Sequence, residues 1–315
     1  MSVITDKQFL FVVGAPRSGT TWLHRMLAEH PCAAGLEGEL TVFSYLQQWA
    51  VRYQREKYFI EHGNRRQGIP RIFDESEFYN GLRLLAFEAY GRLLERKPEA
   101  THILDKHPGY ALCIPLIDRL VPRSRFIHII RDGREVAVSM ISAHKRAGFG
   151  AGTITGASRD WATYLRAAKA EGGKLGPERY LELRYEDLVA RPVDMLQKVL
   201  RFAELNLTDA EVQGIVDAYN IDRKQVSWGD NSLNDLRKIP GAIWQNKLSL
   251  EQRWTMDRMV GDLLEELGYA QPGWWATGAG DRIRMAGYPV LKRIANILGS
   301  AKHIIAHPLI KKFDP

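Results

Sequence analysis

The chain is 315 residues long and poor in cysteine, holding only Cys32 and Cys113. Two thiols support neither a disulfide framework nor a cysteine-based zinc site, so both are expected to be buried and free in a reducing compartment. No apolar run approaches the roughly 18 residues that mark a membrane span. Met1–Gln8 lacks a basic region followed by an apolar stretch and a small-residue cleavage site, so no secretory signal is expected and the location is expected to be cytoplasmic. No internal repeat is present. With 45% apolar and 26% charged residues, disorder, collagen-like repeats and coiled coil are poor fits. Nor is there an acidic excess: 44 Lys and Arg stand against 37 Asp and Glu, a net charge of +7. That balance favours an anionic ligand, but it is too diffuse to imply nucleic acid.

The apolar pattern is that of strands alternating with helices. Phe9–Val13 is a continuous apolar run bounded by Gly14, and it is followed by a helical stripe at Trp22, Leu23, Met26 and Leu27. Further strands are predicted at Thr101–Asp105, Arg125–Ile130 and Tyr180–Tyr185. Helices are predicted over Tyr110–Leu120, Arg134–His144, Pro192–Phe202 and Thr208–Ala218. This order predicts an α/β fold of three layers, a central parallel β-sheet flanked by helices on both faces. Residues 44–100 exceed what a crossover needs and read as a helical insertion near the acceptor side of the sheet. Gly148–Gly156 reads as a mobile loop. A long amphipathic helix is predicted over Leu248–Leu267. We therefore expect one domain over residues 1–270. A basic extension over 271–315 carries Lys292, Arg293, Lys302, Lys311 and Lys312 and is expected to pack on that domain. Peripheral membrane contact or subunit contact is the alternative use of this tail, and the oligomeric state stays open.

The segment Gly14-Ala-Pro-Arg-Ser-Gly19-Thr20-Thr21 joins the first strand to the first helix. Its glycines permit a tight wrap, and the backbone N–H groups at the helix start point at an anion. The glycine spacing is that of a nucleotide-binding phosphate loop, but Thr20 stands where the lysine would be and the cation is Arg17, inside the loop. Arginine's forked donors suit a terminal anionic group. No convincing acidic metal clamp follows a strand, although Asp105 lies at a strand end. A sulfuryl group carries one negative charge fewer than a terminal phosphoryl group, so its transfer can rely on Arg, Lys and loop N–H groups without a metal.

Pro16-Arg17-Ser18-Gly19-Thr20-Thr21-Trp22 resembles the 5′-phosphosulfate loop of the P-loop-like sulfotransferases that use 3′-phosphoadenosine 5′-phosphosulfate (PAPS). Ile130-Arg131-Asp132-Gly133-Arg134-Glu135-Val136-Ala137-Val138-Ser139 resembles their second signature. There the resemblance implies that Arg131 and Ser139 grip the cofactor's 3′-phosphate. Arg237-Lys238, followed by Trp244, resembles the loop that covers the same phosphate, although Ile239 replaces the family's glycine. Trp22 resembles the family tryptophan near the adenine, and it also fits a helix-core aromatic. The resemblance implies PAPS as donor, adenosine 3′,5′-bisphosphate (PAP) as product, no metal, and in-line sulfuryl transfer to a hydroxyl or, less readily, an amine.

Lys106-His107-Pro108-Gly109-Tyr110 is more similar to the carbohydrate and tyrosyl-protein members than to the cytosolic small-molecule members, whose histidine falls one residue later. In those relatives a glutamate removes the acceptor proton. The segment His30–Phe43 maps that role to Glu39, with Glu37 and His107 as alternatives. Lys106 would meet charge on the leaving oxygen. The acceptor is open among small molecule, lipid and carbohydrate. Tyr45, Trp49, Tyr53, Tyr58, Phe59, Phe73, Phe78 and Tyr79 suit an aromatic cleft or a helical core. Arg52, Arg55, Lys57, Arg65, Arg66 and Arg71 suit an anionic saccharide, an acidic peptide or plain solvation. A magnesium-dependent kinase and a nucleotide-binding scaffold without turnover are the competing functions.

Overall fold

The computed structural model describes residues 2–63, 66–219 and 243–287. The chain divides into two compact units, Met1–Trp244 and Gln245–Pro315.

The first unit is built on five strands: β1 Gln8–Gly14, β2 Ala33–Gly35, β3 His102–Lys106, β4 Arg125–Ile130 and β5 Tyr180–Arg184. They form one sheet in the order β2-β3-β1-β4-β5, and every pairing is parallel. The four strands expected from the sequence are present within about two residues at each end, an ordinary margin for element boundaries. The edge strand β2 was not anticipated, because three small residues carry no readable alternation.

β1 lies at the centre and explains the two layers of packing. Phe9, Phe11 and Val13 point into one core, against Phe43, Leu46, Tyr90, Tyr110 and Ile117 from the helices that follow β2 and β3. Leu10 and Val12 point into the other, with Leu23, Leu27, Leu188, Leu196 and Val212. Alternate residues of one strand thus seed both faces. Phe11 is the hub of the first core, its ring centroid 5.5 Å from Phe43, 5.8 Å from Tyr110 and 5.5 Å from Phe126.

The insertion between β2 and β3 is a pair of long helices, Val42–His62 and Glu75–Arg96, joined through a 3₁₀ turn at Ile69–Arg71. Asp74 opens the second helix with a reciprocal capping box to Glu77. The helix expected from Tyr110 begins as a 3₁₀ turn at Pro108–Leu112 and continues as Ile114–Leu120, whose second residue is Pro115. The expected loop at Gly148–Gly156 is shorter than predicted. Thr153 caps the Ile154–Gly172 helix through Gly156 N at 3.1 Å, which draws the last three residues into regular structure. Cys113 is buried as expected, whereas Cys32 is only partly buried; both are free.

In the second unit the Leu250–Glu266 helix opens on a Ser249–Gln252 capping box and is interrupted at Val260, whose φ of −147° is not helical. Ala279–Ala286 is a further helix. The tail cations Lys292, Arg293, Lys302, Lys311 and Lys312 lie outside the described residues, as do Arg65, Arg237 and Lys238.

Replacing Phe11 by Ala removes the ring against which Phe9, Phe43, Tyr110 and Phe126 pack. We expect a loss of about 3–5 kcal/mol in unfolding free energy by chemical denaturation. A loss under about 1 kcal/mol would show that the core closes around the gap.

Candidate functional site

All strands run the same way, so the segments after β1, β3 and β4 leave the sheet at one edge, beside each other. Such a crevice, where the chain departs to either side of a central strand, is where open parallel sheets bind ligands. Gly14 ends β1 with φ 150°, and a Cβ there would lie 2.5 Å from the Ile129 carbonyl oxygen. Arg17 adopts φ 72°, unusual for a residue with a side chain. Gly19 has φ 97°, and a Cβ there would lie 2.5 Å from the Tyr185 ring. The Thr20–Ala28 helix has no side-chain cap at Gly19, so its first N–H groups face the loop. Ser18 is buried, and its Oγ has no hydrogen-bond partner among the described residues. A cradle of N–H groups around an orphaned hydroxyl suits an anionic group.

The second signature closes on this loop. Arg17 Nε donates to Ser139 Oγ at 3.0 Å, and Arg131 donates to the Arg17 carbonyl oxygen at 3.0 Å. The Arg131 guanidinium lies 4.4 Å above the Tyr185 ring and 3.8 Å from a Glu135 oxygen. Glu135 also accepts from the backbone N–H groups of Ile243 and Trp244 at 3.1 and 3.2 Å. Burial pushes the Glu135 carboxyl up, against the pull of those bonds and Arg131. Asp132 is structural: it accepts from Arg134 N at 2.9 Å and forms a forked pair with the Arg134 side chain.

Three of the five catalytic candidates meet at the end of β3. Glu39 Oε1 forms a close ion pair with Lys106 Nζ, and Glu39 Oε2 lies 3.5 Å from His107 Nε2. His107 Nδ1 is 3.2 Å from Ser44 Oγ on the insertion's first helix. Burial lowers the His107 pKa, and the neighbouring Glu39 opposes that shift. Arg17, the fourth, stands on the phosphate loop. Glu37 is not part of the group; it is exposed, with Arg25 at 3.7 Å. Asp105 is no free metal ligand. Tyr90 and Tyr110 hydroxyls donate to its Oδ2 at 2.6 and 2.9 Å, and Lys106 N donates to Oδ1 at 2.8 Å. The Leu40 N–H bonds it too, which anchors the residue next to Glu39. Among the described residues no group of three or more His, Cys, Asp or Glu is arranged to hold a metal ion.

Trp22 stands behind the phosphate loop on the Thr20–Ala28 helix. It is buried against Tyr185 and donates from Nε1 to the Tyr219 carbonyl at 3.0 Å. Sequence reasoning missed Tyr185 and His24. Tyr185 underlies both Gly19 and Arg131, and its buried hydroxyl has no partner among the described residues. The available signal was its place directly after the carboxyl end of β5. His24 is buried with neither ring nitrogen hydrogen-bonded among the described residues, and a Cβ on Gly35 would lie 3.5 Å from its Nε2. Burial, reinforced by Lys106 and Arg25, lowers its pKa to about 3.

A sequence model described as the sulfotransferase family matches residues 10–209. The chain is 28% identical over 201 residues to a putative protein-tyrosine sulfotransferase of Caenorhabditis briggsae, covering 63% of this chain and 66% of that one. It is 25% identical over 314 residues to the omega-hydroxy-beta-dihydromenaquinone-9 sulfotransferase Stf3 of Mycobacterium tuberculosis, covering 85% and 76%. Against the protein-tyrosine sulfotransferases of chicken and Drosophila melanogaster the chain spans 53% and 40% of their lengths. Its fold is similar to the sulfotransferase domain from the curacin biosynthetic pathway, with TM-score 0.53, 22% identity and coverage of 84% of this chain and 99% of that one. Mouse sulfotransferase SULT7A1 complexed with PAP gives TM-score 0.50 at 17% identity, covering 84% and 88%. Among the described residues no helix is long and apolar enough to cross a membrane.

The depressed His24 pKa has a consequence for stability. Between about 3 and the ordinary 6.5 the unfolded chain binds this proton and the folded chain does not. Stability from the neutral ring is therefore fully present above pH 6.5 and is lost as pH falls toward 3. We expect the unfolding free energy of the native chain to fall relative to His24→Leu between pH 7 and pH 4. A difference independent of pH would contradict the shift.

Proposed function

Because the chain belongs to the sulfotransferase family, we propose that it moves the sulfuryl group of PAPS to a hydroxyl of its acceptor and releases PAP. The observation that carries this reading is the closure of the two signatures on one another, Arg17 to Ser139 and Arg131 to the Arg17 carbonyl, both at 3.0 Å. That closure gathers two guanidinium groups and a helix N-terminus around the loop, and the strained Arg17 and uncapped Gly19 suit a bound anion more than an idle turn. The relatives named for protein tyrosine and for omega-hydroxy-beta-dihydromenaquinone-9 are named for compounds that carry a hydroxyl, which supports the same acceptor group here.

Arg131 and Ser139 hold the 3′-phosphate end in this reading. Arg17 and the loop N–H groups hold the phosphosulfate. Glu39 takes the acceptor's proton as the acceptor oxygen bonds to sulfur, and the bond from sulfur to the 5′-phosphate oxygen breaks opposite to it, in line. Lys106 and Arg17 stabilise the charge left on that oxygen. Lys106 serves both sides of the transfer, since its ammonium already lies against Glu39. A metal-dependent kinase is disfavoured by Asp105, whose oxygens are taken up by two tyrosines and two backbone N–H groups.

Two measurements test the reading. Calorimetry should find that PAP binds more tightly than its analogue lacking the 3′-phosphate. Arg131→Ala should weaken PAP by about one to two decades and the analogue much less, as expected for loss of a charge-assisted bond. Equal affinities of the native chain for the two ligands would sink the 3′-phosphate assignment. In single-turnover transfer from labelled PAPS to an acceptor found by screening, Glu39→Gln should slow the chemical step by about 10²–10⁴-fold and leave PAP affinity nearly unchanged. Glu37→Gln should cost less. Near-native chemistry in Glu39→Gln, with a severe loss in a folded His107→Ala variant, would transfer the proton to His107.

A further inference from the structure

The insertion's first helix starts at the catalytic group and runs away from it with an unusually apolar outer side. Ser44 meets His107 at its N-terminal end, and beyond it Tyr45, Trp49, Val51, Tyr58 and Phe59 are all exposed. A helix packed by one face ordinarily turns polar residues outward. Beside Trp49 the helix forms one wall of a groove of about 580 Å³, within the range of about 300–1,000 Å³ typical of small-molecule sites.

The groove is built rather than incidental. Its floor is the Tyr53–Phe78 stack, with ring centroids 4.1 Å apart. The Tyr53 hydroxyl donates to the Phe73 carbonyl at 3.1 Å, so its polar end is satisfied and the ring faces the space. The opposite wall is Ile69 and Ile72 of the 3₁₀ turn, and Ile72 is 81% exposed. That turn approaches closely because Gly68, at φ 138°, has no Cβ; one there would lie 2.9 Å from Glu56 Oε2. The groove's two charged residues neutralise each other, Arg52 Nε to Glu56 Oε1 at 3.0 Å. Nearby Lys57 is likewise held by Glu75 at 2.6 Å. Two of the cations that suited an anionic saccharide or acidic peptide therefore have carboxylate partners. At 1.5 Å per residue, Trp49 and Tyr53 lie about 8 and 14 Å along the helix from Ser44.

We propose that this groove binds the apolar tail of the acceptor, so that the substrate is an uncharged amphiphile with its hydroxyl at one end and an apolar body long enough to reach past the first turns of this helix. The proposal rests on the sulfotransferase reading for the hydroxyl end, and on the groove alone for the tail.

The test uses the full chain with dodecanol, butanol and bromododecanol. Bromododecanol should quench tryptophan fluorescence, and Trp49→Phe should lose most of that quenching. Ile72→Asp, at a highly exposed position, should weaken labelled dodecanol about tenfold or more with a native melting temperature. Butanol should bind at least about tenfold more weakly than dodecanol. With PAPS present, kcat/KM should follow the same chain-length order. Unchanged dodecanol affinity in Ile72→Asp, or quenching that survives Trp49→Phe, overturns the groove. So does binding to phosphatidylglycerol vesicles without retention of monomeric alcohol, which would make the surface a bilayer contact. PAP affinity measured on the same samples separates the two ideas. PAP binding without chain-length dependence overturns the tail site and leaves the sulfotransferase reading standing. Chain-length-dependent alcohol binding without PAP binding supports the groove and overturns that reading.

Discussion

The site depends on one buried contact, the hydrogen bond from the Arg131 guanidinium to the Arg17 carbonyl at 3.0 Å. A guanidinium that is 3% exposed must find partners or remain costly to bury. Arg131 finds them in the Arg17 backbone, the Tyr185 ring and Glu135. Each of these partners fixes something else. The Arg17 carbonyl holds the loop in its left-handed turn, Tyr185 requires glycine at position 19, and Glu135 gathers the N–H groups of Ile243 and Trp244. Arg17, Arg131 and the start of the Thr20–Ala28 helix thus share one small volume. Like charges placed together in that way create a field that favours a polyanion over a neutral ligand.

A second buried polar centre organises the other half of the site. Asp105 carries a carboxyl whose pKa burial raises, while the tyrosine and backbone donors pull it back. Its two tyrosines come from the insertion's second helix and from the turn after β3, and its backbone donors are Lys106 and Leu40. One side chain therefore ties the insertion, the end of β3 and the segment bearing Glu39 together. The Lys106–Glu39 pair is a product of that tie, because neither residue alone sets the position of the other. The arrangement also gives the insertion two functions in one element, with Ser44 bonded to His107 at its start and an apolar groove farther along.

Much of the architecture was legible in the residues themselves. The continuous apolar run of β1 read as a strand buried on both faces, and strand–helix alternation implied a parallel sheet. Gly14, Arg17, Gly19, Arg131 and Ser139 were legible because each motif is local, its spacing imposed by one turn and one helix. What escaped was short or irregular. β2 has three residues, the helix at Ile154 starts inside a glycine-rich stretch, and Val260 breaks a helix whose pattern runs straight through it.

Which carboxylate faces the lysine was not readable, because Glu37 and Glu39 are equivalent as letters two residues apart. The fold separates them through Leu40 and Asp105, leaving Glu39 on Lys106 and Glu37 in solvent beside Arg25. The bond from the Trp22 indole N–H to the Tyr219 carbonyl, 197 residues away, was likewise unreadable. His24 gave no sign in the sequence and Tyr185 only its place after the end of β5, since their meaning lies in which strands are neighbours. Local spacing is a property of one covalent segment, so the sequence by itself determined the two loop-and-helix signatures and the layered sheet. Partners such as the Arg17 carbonyl for Arg131, the tyrosines for Asp105 and Glu39 for Lys106 come from elements far apart in the chain, and only the tertiary structure decided them.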